Sequence, residues 1–394
     1  MRILFSFAGG RGHVEPLLPV AGAAQAAGHT VAFAGSHTTL RVVEALGFDV
    51  FPFGPAPADT PPRRIPLQKL DAEREQRDLR ERFIRRLARQ RVPAVLDLCA
   101  AWQPDVLVCD ETDFGAALGA ERLGLPQATM LVTASGAFVV PAVVDEPLGE
   151  LRAEHGLPPD QELAMRSRYL VLSPFPPSFR EPDHPLPATA HSFRPGPVEA
   201  ARPDDIPPWL ARLGDAPLVY VTLGTVFNLE SGDLFMRVLA GLRELPVHVV
   251  VTVGSQIDPD ELGSLPENIH VARFIPQSTV LPFCSAVVSH GGSGSVIGAL
   301  AHGLPQVVIP MGADQPLNAK RCDELGVAQV LDPMTADGTA VRDAVSAVLS
   351  DPGYRIAAER IRDEIAGLPG PASAVTLLER LADERRSSGR MAES

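Results

Sequence analysis

Short runs of apolar residues, each followed by a helical stretch, recur in both halves of the chain. In the first half "RILFSF" (2–7), "TVAFAG" (30–35) and "DVLVCD" (105–110) read as strands. The stretches "EPLLPVAGAAQAAG" (15–28) and "FGAALGAERLG" (114–124) read as helices. In the second half "PLVYVTLGT" (217–225), "VHVVVTVG" (247–254), "AVVSH" (286–290) and "QVVIP" (306–310) repeat the pattern. Strands apolar on both faces and separated by helices fit parallel sheets covered on both sides. The expectation is an α/β protein of two doubly wound domains. The length of 394 residues agrees, because it exceeds what one core usually supports.

The expected division is 1–205, 206–375 and a terminal stretch 376–394, a helix followed by a tail that reads as disordered after about residue 385. The proline-dense join "FPPSFREPDHPLPATAHSFRPGPVEAARPDDIPPW" (175–209) admits no long helix or central strand and should run as irregular chain. "LQKLDAEREQRDLRERFIRRLARQR" (67–91) reads as a solvated helix, docked by a thin stripe of Leu70, Leu79, Phe83 and Leu87.

A net charge of −13 argues against nucleic acid and anionic membrane as partners. Cys99, Cys109, Cys284 and Cys322 are scattered, as reduced thiols would be, without disulfide or zinc spacing. The sequence shows no secretory leader and no run near the roughly 18 apolar residues of a membrane span, so a cytoplasmic location is expected.

Two glycine-rich strand-to-helix turns carry the chemistry. In "SHGGSGSVIGALAHGLP" (289–305), Gly291, Gly292 and Gly294 precede a helix starting near Ser293. Such a turn lets a diphosphate approach the backbone and the helix N-terminus, with His290 and Ser295 as extra donors. No Gly-Lys-Ser/Thr is present for a nucleoside triphosphate. The first turn places Glu15 where a dinucleotide fingerprint needs its third glycine, and no acid ends the next strand, which disfavours a redox cofactor. Downstream, "MGADQPLNAKRC" (311–322) brings Asp314 and Gln315 to the carboxyl end of a strand. A carboxylate beside an amide can grip vicinal sugar hydroxyls, although Asp314 also reads as a helix cap. In "VARFIPQSTVL" (271–281), Phe274 and Ile275 offer an apolar wall for a base.

Together these stretches resemble the GT-B nucleotide-sugar-dependent glycosyltransferases, in particular those that glycosylate actinobacterial natural products. The likeness runs from "GRGHVEPLLPVAGAAQAAGHTV" to "HGGSGS…HGLPQVVIP…ADQPLNA". It implies two Rossmann-like domains facing across a cleft, with the acceptor on the first and the nucleotide-sugar on the second. It also implies that His290, Gly292, Ser293, Gly294 and Ser295 hold the donor diphosphate, with Thr225 touching it from the facing strand. Phe274, Ile275 and Gln277 would frame the base, and Asp314 and Gln315 the sugar. His13 would be the base that deprotonates the acceptor hydroxyl, and Asp110 the carboxylate that orients it, giving an inverting transfer.

No cofactor or metal is expected. The Asp258-Pro259-Asp260 triplet reads as a cap rather than a metal site. Many relatives carry a glutamate, which grips both ribose hydroxyls, eight residues after the histidine equivalent to His290. Gly298 stands there in this chain, which favours a dTDP-sugar over a UDP-sugar. The loops 52–66 and 136–147 suit a hydrophobic aglycone. C-glycosylation and a non-catalytic sugar-nucleotide-binding role remain alternatives, and a homodimer is left open.

Overall fold

The computed structural model describes residues 1–54, 64–160, 162–196, 207–210, 213–225 and 227–392, with side chains through residue 384. The boundary expected near 205–206 and the acceptor-loop residues 55–63 lie outside the described residues.

The first sheet has seven parallel strands: β1 (Arg2–Ser6), β2 (Thr30–Ser36), β3 (Asp49–Phe53), β4 (Val106–Asp110), β5 (Gln127–Met130), β6 (Leu170–Ser173) and β7 (Ala190–Ser192). Their order is β3-β2-β1-β4-β5-β6-β7. The second sheet has six parallel strands: β8 (Leu218–Thr222), β9 (His248–Thr252), β10 (Ile269–Ala272), β11 (Ala286–Ser289), β12 (Gln306–Val308) and β13 (Ala328–Val330), in the order β10-β9-β8-β11-β12-β13. The expected pair of doubly wound sheets is thus present. Strand order reverses between β1 and β4 and between β8 and β11. Ligands of such sheets lodge outside the carboxyl ends of the strands at that reversal, and each glycine-rich turn leaves the sheet at one of these points.

The central strands are apolar on both faces because helices cover both; Ile3, Leu4, Phe5 and Val219, Val221 are all buried. Six strands escaped the sequence reading. β7 lies inside the proline-dense join, where irregular chain was expected. It is three residues long and sits at the sheet edge, where a strand needs only one partner.

The charged stretch 67–91 folds as a helix over Ala72–Asp78, a π-helical segment over Leu79–Ala88 and a further helix over Arg89–Trp102. The wider π turns step the buried stripe to Leu79, Ile84, Ala88 and Val92, leaving Leu70, Phe83 and Leu87 only partly covered. Of the loop 136–147, residues from 141 onward belong to the helix Pro141–Glu154, which Pro141 starts at its first position.

The helix Pro371–Ala392 continues past residue 385, where the sequence suggested a disordered tail; 372–388 holds no glycine or proline to stop it. It crosses back to the first domain, where Leu378 and Leu381 join the core of β1 and the helix Leu18–Ala26. A further apolar cluster is shared by both domains: Leu131, Ala134, Phe175 and Phe179 pack with Val296, Ile297, Ile361 and Ile365. The four cysteines are buried and free. Among the described residues, no helix is long and apolar enough to cross a membrane.

Candidate active site

His13 sits in the first helical turn after β1 (Arg11–Val14), and Asp110 is the last residue of the neighbouring strand β4. Their side chains meet, Nδ1 of His13 lying 3.4 Å from Oδ2 of Asp110. The approach requires Gly9, because a Cβ there would fall 2.0 Å from the imidazole. Three donors fix the carboxylate: the backbone N–H of Ala8 at 2.7 Å, the N–H of Thr112 at 2.7 Å and the Thr112 hydroxyl at 2.6 Å. The Thr112 hydroxyl also touches His13 Nδ1 at 3.2 Å. With Nδ1 so occupied, Nε2 is the nitrogen left for a substrate. Phe83, from the π-helical segment, stacks beside the ring at 6.1 Å.

Asp113, not Asp110, caps the helix Phe114–Leu123, accepting from the N–H of Ala116. Asp113 is itself held by Arg91 at 2.6 Å and by the Ser6 hydroxyl at 2.6 Å. Asp110 is therefore free of a capping role and available to the imidazole.

Burial opposes the charged form of both partners. For His13, the pull of Asp110, with smaller contributions from Asp314 and Glu111, outweighs burial and holds the pKa above 6.5. For Asp110, His13, Thr112 and Ala8 overcome burial and hold it below the usual carboxylate range. The pair is a buried carboxylate supporting a titratable imidazole, the arrangement of a base and its orienting group.

On the facing domain, His290 follows β11, and the helix Ser293–Leu300 starts after Gly292. The ring lies against two glycines, since Cβ atoms on Gly224 or Gly292 would come within 2.5 and 2.6 Å of it. Burial lowers the His290 pKa to about 4, against a smaller raising contribution from the Thr222 backbone, so the ring is neutral at pH 7 and carries one N–H. Gly294 opens onto unoccupied space at the helix start, and Ser295 contacts Gln277 at 3.3 Å. Thr225 lies differently from its expected place at a strand end. β8 stops at Thr222, Gly224 turns the chain with φ +78°, and Thr225 is exposed beyond it.

Asp314 stands at the N-cap position of the helix Gln315–Glu324 but makes no side-chain cap. Its carboxylate instead accepts from Ser293 Oγ at 2.7 Å and Asn318 Nδ2 at 2.8 Å. Gln315 is buried, and its Oε1 accepts the N–H of Met311 and Gly312, which spends that atom on its own loop. Ser293 Oγ also accepts the N–H of Ala134 from the first domain. Its hydroxyl thus joins the domains rather than facing open space. Phe274 is 54% exposed, under the Arg11 guanidinium at 4.9 Å, whereas Ile275 is buried in the core beneath. Gly298 faces Gln277, whose Oε1 would lie 2.9 Å from a Cβ there.

The residues missed by the sequence are Gly9, Thr112 and Asn318. Asn318 is fully buried, donates to Gly291 O, Ser293 Oγ and Asp314, and accepts the N–H of Ser135 from the first domain. Among the described residues, no group of three or more His, Cys, Asp or Glu could hold a metal ion. Asp258 caps the turn Pro259–Leu262 in a capping box with Glu261.

Residues 236–381 match the family model for the C-terminal domain of erythromycin biosynthesis protein CIII-like proteins. Over 96% of this chain and 99% of its own length, 4'-demethylrebeccamycin synthase of Lentzea aerocolonigenes is 33% identical. The L-demethylnoviosyl transferase of Streptomyces niveus is 31% identical over 98% and 99%. The chain belongs to the actinobacterial antibiotic glycosyltransferases. Among solved structures, the spinosyn rhamnosyltransferase SpnG complexed with thymidine diphosphate superimposes with a TM-score of 0.79, at 27% identity, covering 96% of this chain and 100% of that one. This glycosyltransferase therefore has the GT-B architecture, with His13 and Asp110 on one domain and the glycine-rich turn of His290 on the other.

Proposed function

We propose that the enzyme is an inverting glycosyltransferase that moves a sugar from a dTDP-sugar to a hydroxyl of a hydrophobic natural-product aglycone. The observation that carries this reading is the His13–Asp110 pair, set at the reversal point of one sheet while the diphosphate turn occupies that of the other. His13 Nε2 takes the acceptor proton, and the freed oxygen attacks the anomeric carbon in line as the nucleotide diphosphate leaves. One displacement inverts that carbon. Asp110 steadies the imidazolium that forms. Charge growing on the leaving diphosphate meets the N–H groups at the start of Ser293–Leu300 and the His290 donor, so no metal is assigned.

Gly298 supports thymidine. Its helix packs directly on Gln277, which leaves no carboxylate to grip a pair of ribose hydroxyls. The thymidine diphosphate in SpnG agrees with this. Phe274 is open enough to stack on a base once Arg11 moves aside.

Nucleotide binding tests the reading directly. At one hundred times its Kd, a ligand stabilises the native state by about 2.7 kcal/mol. In a thermal-shift series dTDP should raise Tm most, with UDP and GDP behind it. UDP outranking dTDP would remove the thymidine preference, and no shift with any of the three would remove the donor site.

A further inference from the structure

We propose that Glu75 is a positioning residue that sets the donor-sugar loop from across the cleft. This rests on the reading above in which Asp314 faces the sugar. Glu75 lies on the helix Ala72–Asp78 of the first domain, within the charged stretch that sequence alone assigns to solvent. Its Oε2 accepts the backbone N–H of Ala313 on the second domain at 3.0 Å. Arg74 fixes the other oxygen through two bonds, of 3.1 and 2.8 Å.

Ala313 is where such a hold matters. Its φ of +51° is left-handed, a conformation that alanine adopts only at a cost. The residue directly precedes Asp314 and Gln315. The two amides before it, Met311 and Gly312, are already held by Gln315 Oε1. Within the loop 311–315, therefore, the Ala313 amide is the one fixed by the opposite domain. Phe227 and Glu75 Oε1 also flank Gly312, leaving no room there for a side chain. Glu75 thereby links the helix that runs on into the π-helical segment of Phe83, beside His13, to the carboxylate on the sugar side. The aim of Asp314 becomes conditional on the acceptor domain being in place.

The test compares the Kd of dTDP with that of dTDP-rhamnose by calorimetry, their ratio isolating what the sugar contributes. Glu75→Ala should lower this ratio about tenfold, the scale of one hydrogen bond to a charged group, and leave dTDP affinity unchanged. Glu75→Gln keeps a carbonyl oxygen for Ala313 and should retain the ratio. In the Glu75→Ala background, Ala313→Gly should restore most of the loss, because glycine reaches positive φ freely. A charge role would predict loss in Glu75→Gln and a packing role no rescue by Ala313→Gly, and either result would overturn the proposal. Asp314→Ala serves as the control on the sugar side. A wild-type ratio of one, or an unchanged ratio in Asp314→Ala, overturns the sugar-loop reading and Glu75 with it. A loss in Asp314→Ala with none in Glu75→Ala overturns the positioning role alone.

Discussion

His13→Ala should slow glycosyl transfer by roughly 10²- to 10⁴-fold, the span of general-base catalysis, while dTDP binds as it does to the wild type. The separation follows from the architecture. His13 belongs to the first domain and contacts Asp110, Thr112 and Phe83, whereas the glycine-rich turn of His290, proposed to hold the nucleotide, belongs to the second. The pH profile supplies an independent check. The imidazole must be neutral to take a proton, and its pKa is held above 6.5, so the rate should rise with pH through an ionisation above that value. Asp110 is the main influence raising it against burial. In Asp110→Asn the ionisation should therefore move to lower pH, while the maximal rate falls because the imidazolium loses its counter-charge. His13→Ala should show no such limb. Equal rates for wild type and His13→Ala on an oxygen acceptor would refute the role, and an unmoved ionisation in Asp110→Asn would dissociate the pair.

His13 and Asp110 could be found in the sequence because each sits at a place that local pattern marks: a glycine-rich turn after an apolar strand, and the last residue of another. The same holds for His290 and for Asp314. Thr112 and Gly9 carry no such mark. Thr112 matters only because β4 lies next to β1, which brings its hydroxyl to a ring 99 residues away. Asn318 is one polar residue on an unremarkable helix until the two domains meet around it. Thr225 shows the reverse error. The run "YVTLGT" reads as continuous strand, but the ladder ends at Thr222 and Gly224 turns left-handed, with the His290 ring where a Cβ would stand. The charged stretch is docked by an apolar stripe, but of the four residues expected to form it only Leu79 is buried. Its π-helical turns altered which residues form the stripe, and Glu75 gave the same segment a contact across the cleft that periodicity cannot express.

His290→Ala should cost about 2–4 kcal/mol of transition-state stabilisation, the loss expected when one donor to a developing anion is removed. Unlike the change at His13, it should also weaken dTDP, because the ring stands beside the helix start where the diphosphate is expected to dock. The two histidines separate further by pH. Burial holds the His290 pKa down at about 4, so between pH 6 and 9 the unliganded ring is neutral throughout and contributes no ionisation to the profile. The limb assigned to His13 should therefore persist in His290→Ala, at the same pH and on a lower plateau. The variant need not collapse structurally. Gly224 and Gly292 border the ring; the Gly224 N–H is also held by the Thr222 hydroxyl and the Gly291 carbonyl by Asn318, so the circular dichroism spectrum should match wild type. Turnover and dTDP affinity that both match wild type would take His290 out of the diphosphate site. Loss of the pH limb in this variant would show that the ionisation controlling the rate had been placed on the wrong histidine.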